Sequence, residues 1–522
     1  MAGVIMTTRV LFIGLDAAEA TLLEGFAAQG QLPNLQRLTQ QGTRYRLGNS
    51  LRTLPGAIWP EIQTGISSGR IPHYYHPRQL HTGEAIKRPL DAKDVDAETY
   101  FWVRASRAGK RVAALDIPQT VVAKDFNGIQ LFEWGLHDRN FEIASEPPSI
   151  LEKIKATHGD HPVDMCDTHG ETEEGYQTLL DGLLQGVRSK TDVLLEHLRA
   201  DKWDLFACCY GETHCVGHQF WHFQDPNHPW YAEDAPAHFK TAMRDVYKTI
   251  DAGIGDLMEA AGEDAQIYVI SSHGMGIYSG GPNLLPEILA RMGLTSSGDA
   301  ASSSTAKGLR DLQRADGRMI TAVKDFVKPI VGKRVIRFLQ TRTGGLHEPF
   351  EDPATRAADL PNNRCGAIRL NVKGREPMGA VAPGNEYVSV IEDIRTALME
   401  LEDPKTGTRI VDEVITAKEA FGADHHPDVP DIMVVFRDDL GVIDACESAR
   451  LGRIERPVYK AILPRSGDHT VESRLWRVGP GVAEGAVVDG GNVLDVAPTI
   501  LMDLDIPVAE EIDGRPLQVQ SF

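Results

Sequence analysis

A chain of 522 residues is too long for one simple hydrophobic core, which leaves one large α/β domain with an insertion, or two to three domains. Its 42% hydrophobic and 25% charged residues exclude global disorder. The net charge of -20 disfavours nucleic-acid polymers and anionic membranes, so an anionic substrate would need a local cation, either metal or arginine, to draw it in.

Arg9 to Asp16 reads as a buried parallel strand with a carboxylate at its C-terminal end, the end at which open α/β sheets bind ligands. Asp16 suits either a ligand role or the N-cap of a helix expected over Ala17 to Gln29. A second helix begins at Leu32-Pro33. Thr53 to Gly65 reads as a loop turning into a helix that Gly65 closes. The loop His73-Tyr-Tyr-His76 fits surface or subsite decoration better than metal binding. Arg111 to Asp116 is a further strand, and Val187 to Arg199 an amphipathic helix leading into the apolar run Asp204 to Tyr210.

That run delivers His214 and His218. Four residues apart, the two imidazoles share one helix face, a spacing that a divalent metal bridges. Glu212 is either a spare carboxylate ligand or a solvent-facing residue. A helix over Lys240 to Ala261 precedes the strand Gln266 to Gly276, which ends in a polar, glycine-rich turn with Ser272 and His273. The alternation predicts a doubly wound, mostly parallel sheet with helices on both faces.

From residue 281 the composition shifts. Ser297 to Ala306 is Ser/Gly/Ala-rich, the stretch to Thr343 is basic and helix-prone, and Asn363 to Arg375 combines strand alternation with Arg364, Arg369, Lys373 and Arg375. Residues 281–426 are expected to form an inserted, cap-like α+β region between core segments 9–280 and 427–522. Core would resume with the strand Val429 to Phe436, place His469 in a loop, and close on a helix from Val493. Trp221, His222 and Trp230 suit core packing or stacking on a base or sugar. The six cysteines show no C-x-x-C pairing, and no signal peptide or long apolar span precedes the first strand, which points to reduced thiols, a cytoplasmic protein and no membrane span.

Asp16, His214 with His218, His273 and His469 thus all end strands or loops at glycine-rich turns, and strands of one sheet set their C-terminal ends side by side. With Gly-Leu-Asp16, the segment Trp59 to Gly65, Gly217-His218, Ser272-His273-Gly274-Met275, His469 and the tail Leu494-Asp-Val-Ala-Pro-Thr, the chain resembles the alkaline phosphatase superfamily, in its type I phosphodiesterase/nucleotide pyrophosphatase branch. The resemblance implies an alkaline phosphatase-like fold and a metal-dependent hydrolase of phosphate diesters or monoesters, with in-line attack at phosphorus between one or two divalent ions. Zinc suits a three-histidine set, and manganese remains an alternative.

By the same resemblance His214, His218 and His469 hold one ion, and Asp16 with His273 the other. Ser272 stands where a carboxylate is expected, which weakens that second site. The nucleophile position departs as well: Thr53 ranks first, an empty position at Ala57 second, and metal-bound hydroxide third. Arg375 is the expected substrate-binding cation. The alternatives are a non-catalytic or repurposed metal-binding member of the scaffold, or a hydrolase or mutase of another tetrahedral anion such as a phosphonate or sulfate. The substrate is expected to be small and anionic, with homo-oligomer formation left open.

Overall fold

The computed structural model describes residues 10–71, 80–85, 90–135, 141–164, 172–295, 350–360, 362, 364–456 and 465–518. The loop at 73–76 and the Ser-rich and basic stretch of the insertion lie outside them.

In chain order the strands are β1 (Val10–Leu15), β2 (Thr43–Gly48), β3 (Val112–Leu115), β4 (Gly128–Phe132), β5 (Ala144–Glu146), β6 (Leu205–Tyr210), β7 (Gln266–Ser271), β8 (Gly274–Ile277) and β9 (Ala357–Leu360). Then come β10 (Gly366–Leu370), β11 (Val411–Thr416), β12 (Ile432–Phe436), β13 (Ala445–Ser448), β14 (Gly452–Glu455), β15 (Gly467–Thr470), β16 (Ser473–Val478) and β17 (Ala486–Asn492).

Nine of them form one sheet in the order β17-β2-β16-β7-β1-β6-β3-β4-β5. Its centre, β7-β1-β6-β3-β4, is parallel, while β5 and β16 run antiparallel to their neighbours. β1, β6 and β7 are buried at every position, because both faces are covered. Alternate residues of β1 feed two cores. Leu11, Ile13 and Leu15 pack with the helices Glu173–Ala200 and Ala242–Ala261 on one face; Val10 and Phe12 pack with Phe101–Arg107 and Val496–Asp503 on the other. Each such side chain, fully withdrawn from water, contributes about 1.5–3 kcal/mol.

Register decides where the chemistry goes. Leu15 pairs with both Tyr210 and Ser271, so β1, β6 and β7 end level with one another. The residues that follow them, Asp16, Gly211 onward and Ser272-His273, therefore emerge at one edge of the sheet.

The insertion builds its own four-stranded antiparallel sheet, β11-β12-β10-β9, with the helices Leu285–Arg291 and Asn385–Met399 contributing to its separate core. β12 belongs to this second sheet, which corrects the reading of Val429 to Phe436 as a return to the main core. A short apolar strand satisfies the interior of either sheet, and sequence periodicity alone does not distinguish them. The same apolar cluster extends to Ile454, and the main sheet resumes only at β16. The first helix also differs from expectation: it spans Ala20–Ala28 with Glu19 as its capping residue, so Asp16 is not a helix cap.

Candidate metal centre

β6 runs straight into the helix Glu212–Gln224, whose first two turns carry His214 and His218 on one face. His469 arrives from β15, a strand rather than the expected loop, paired antiparallel with β8 so that His469 lies opposite Met275. Gly467 lets β15 approach the helix, since a Cβ there would stand 2.2 Å from the Gly217 carbonyl oxygen. The approach is used: His218 Nδ1 lies 2.7 Å from the Gly467 carbonyl. A carbonyl only accepts, so Nδ1 carries the proton and Nε2 presents a lone pair inward.

The His214 Nε2 lies 3.1 Å from that of His218 and 3.0 Å from that of His469. Tetrahedral zinc, with bonds near 2.0–2.1 Å, spaces its nitrogen ligands about 3.3 Å apart. Among the described residues this trio is the group of three or more whose ligand atoms all fall within 4.8 Å of one another. Burial first, then the neighbouring His273 and His214, hold the His469 pKa well below the usual histidine value, so it is neutral and free to ligate.

His273 stands beside the trio, its ring centroid 4.4 Å from that of His469. Its Nε2 and the Nδ1 of His469 are buried with no hydrogen-bond partner among the described residues. Burial pushes the His273 pKa down to about 3. The buried Nε2 atoms of His214, His218 and His469, turned toward one another at 3.0–3.1 Å from His214, fit a shared cation.

Asp16 and Ser272 complete the edge. Ser272 Oγ lies 3.0 Å from His273 Nδ1, donates to Asp16 Oδ1 at 3.4 Å and accepts the Ala17 N–H at 3.2 Å. It therefore stitches Asp16 to His273 where a carboxylate was expected. Trp59 Nε1 donates to Asp16 Oδ1 at 2.7 Å, and its ring lies against Gly14, where a Cβ would meet it at 2.5 Å. Glu19, unmarked in the sequence reading, accepts from the Met275 N–H at 2.8 Å and from Thr470 Oγ1 at 3.1 Å, tying the β8-β15 ladder to the first helix.

Glu212 is neither solvent-facing nor a spare ligand. It is buried, 3.0 Å from His161 Nε2 and 3.3 Å from Lys190 Nζ, and Lys190 also lies 3.4 Å from Asp116. Burial opposes ionisation of Glu212, but Lys190 and His161 outweigh it and hold the pKa at about 2. A carboxylate taken out of water needs such partners, and its sequence position beside His214 gave no sign of them.

Thr53 sits in the turn before the helix Ile58–Thr64, its hydroxyl donating to the Ser50 carbonyl at 3.1 Å. Ala57 is buried in a small apolar cluster with Leu54, Ala417 and Val429. Asn362 donates to the Thr53 carbonyl at 2.8 Å, and Arg364 donates to the His469 carbonyl, so one short segment of the insertion touches both the Thr53 turn and the histidine strand. Arg375 does not reach that position. All three of its guanidinium nitrogens are engaged within the insertion, by Asp431, Glu376 and the Leu370 carbonyl, which corrects its expected role as the substrate's partner. Trp221 is buried and Trp230 is half exposed.

No helix among the described residues is long and apolar enough to cross a membrane. No curated protein matches the chain. Solved structures similar to it include murine ectonucleotide pyrophosphatase/phosphodiesterase 5, at 11% identity and a TM-score of 0.47 over 96% of each chain, and the human protein of that name, at 10% identity and 0.47 over 96% of each. A third is phosphonoacetate hydrolase from Sinorhizobium meliloti 1021 in complex with phosphonoformate, at 13% identity and 0.49 over 96% of this chain and 95% of that one. The sequence model of one family, described as type I phosphodiesterase/nucleotide pyrophosphatase, matches residues 10–453, and the chain belongs to that family.

Proposed function

We propose that the protein is a metal-dependent hydrolase of phosphate monoesters or diesters, working at the edge where β1, β6 and β7 end. The convergence of the Nε2 atoms of His214, His218 and His469 at 3.0–3.1 Å carries this reading, with family membership in support. A divalent cation, zinc by its preference for imidazole in a four-coordinate site, would supply positive charge against the charge that builds on the substrate's oxygens.

The chain's own residues do the rest. His218, held by the Gly467 carbonyl, orients the set, and burial keeps His469 and His273 neutral at working pH. Thr53 is the attacking hydroxyl in this reading. Its proton is donated to the Ser50 carbonyl, so attack requires the side chain to leave that partner. The engagement of Ser272 with Asp16, His273 and Ala17 favours one ion over two, because a hydroxyl replaces the carboxylate that a second cation would want. It also keeps open the second reading, a metal-binding member of the scaffold without turnover.

The test is turnover of phenyl phosphate and bis(4-nitrophenyl) phosphate by protein loaded with zinc or manganese, with metal content measured in parallel. Hydrolysis that falls at least about 100-fold in Thr53→Ala and is lost in His218→Ala is the expected result. Bound metal with no turnover of either substrate would favour the non-catalytic reading, and protein that takes up neither metal would sink both.

A further inference from the structure

Arg364 occupies a different position from every other arginine of the insertion described above. It lies in the turn between β9 and β10, and that turn is anchored on both sides: Asn362 donates to the Thr53 carbonyl at 2.8 Å and Cys365 Sγ to the Leu51 carbonyl at 2.9 Å. From there the guanidinium donates to the His469 carbonyl and pairs with Asp438. Its side chain is only 10% exposed, while that of Asp438 is 55% exposed.

Those partners are weak ones for a buried cation. A backbone carbonyl is neutral, and an ion pair to an exposed carboxylate is screened by water and contributes little. Arg369 and Arg375 differ, since their partners Glu376 and Asp431 are almost wholly buried and cannot be exchanged for a ligand. Among the described residues Asp438 is the one ion-pair partner of Arg364. In a chain of net charge -20, such a cation beside the histidine centre is a local attractor for anions.

We propose that Arg364 binds a second anionic group of the substrate, a carboxylate or further phosphate next to the scissile phosphoryl group, with Asp438 as the group displaced. The guanidinium fork matches either anion in two parallel hydrogen bonds. Asp438 then acts as a competitor at the rim, holding Arg364 in place until the substrate arrives. This rests on the hydrolase reading above for its site, and names the substrate class that the site prefers.

Two measurements on zinc-loaded protein separate the inference from that reading. The first is calorimetric binding of phenylphosphonate and of its 2-, 3- and 4-carboxy derivatives, which requires no turnover. The second is kcat/KM on phenyl phosphate and on 2-, 3- and 4-carboxyphenyl phosphate, the positional series covering the unknown separation of the two charges. At least one carboxylated ligand should bind about tenfold or more tightly than the parent that lacks the carboxylate, and be preferred as substrate to a similar degree. Arg364→Met should collapse that ratio toward one, Arg364→Lys should keep part of it, and Asp438→Asn should enlarge it. If Arg364 merely fastens the insertion to the histidine strand, Arg364→Met lowers affinity for ligands with and without the carboxylate alike, and the unchanged ratio overturns the proposal. Should Arg364→Met not fold, the Lys and Asp438→Asn variants decide, and a ratio unmoved by both rejects it. Failure to hydrolyse any of the esters would fall on the hydrolase reading, with the binding series still deciding the role of Arg364.

Discussion

His218 and Gly467, 249 residues apart in sequence, are joined by a 2.7 Å hydrogen bond from the imidazole Nδ1 to the backbone carbonyl. That bond sets the tautomer of His218 and aims its Nε2 at His214, so the geometry of the candidate metal centre depends on how closely one strand approaches one helix.

Gly467→Ala tests this dependence directly. The added Cβ would stand 2.2 Å from the Gly217 carbonyl, which forces β15 away from the helix and lengthens the bond to His218. Zinc affinity, measured by competition with a chelating dye, should fall about 10–100-fold, as for other disturbed partners of metal-binding histidines. An affinity equal to that of the unaltered protein would show that the approach of β15 does not orient His218.

The buried His273 makes the metal-free protein acid-sensitive. Its folded pKa is pushed down to about 3, against about 6.5 for an unfolded histidine. Above pH 6.5 both states are neutral and the stability is fully present. Below it the unfolded chain takes up a proton that the folded chain refuses, so stability falls by roughly 1.4 kcal/mol per pH unit toward pH 3. Urea unfolding of chelator-treated protein between pH 7 and 4.5 should show at least that slope, since His469 is held neutral as well, and the slope should be reduced in His273→Gln; equal slopes in the two proteins would assign the acid sensitivity elsewhere.

Lys190→Met removes the cation that lies within 3.4 Å of both Asp116 and Glu212. Breaking a buried pair leaves uncompensated charge behind, with an expected loss of about 3–5 kcal/mol. Adding Glu212→Gln should recover part of that loss, because one of the stranded carboxylates is then neutral. Unfolding midpoints of the single and double variants settle it, and a double variant no more stable than Lys190→Met would contradict the pairing.

Ser272→Asp places a carboxylate where Ser272 Oγ now lies 3.4 Å from Asp16. Two facing carboxylates repel unless a cation separates them. Metal-free protein should therefore melt several degrees lower than the unaltered chain, and zinc bound per chain should rise from one toward two. A stoichiometry that stays at one would mean that Asp16, His273 and the new carboxylate do not form a second site.

Much of this molecule is readable from local pattern. The apolar runs ending at Asp16, before His214 and at Ser272 are strands of one parallel sheet, and the four-residue spacing of His214 and His218 sets both on one helix face, because hydrophobic periodicity and helical repeat are properties of neighbouring residues. Tertiary structure alone decided the rest. β12 joined the insertion's sheet although its sequence suits either core. Glu212 became a buried partner of Lys190 and His161, and Arg364 rather than Arg375 reached the histidine strand, because each outcome turns on contacts between segments separated by tens to hundreds of residues. A charged side chain carries the same letter whether it faces water, a buried counter-ion or a ligand, and only the packing of distant elements around it selects among the three.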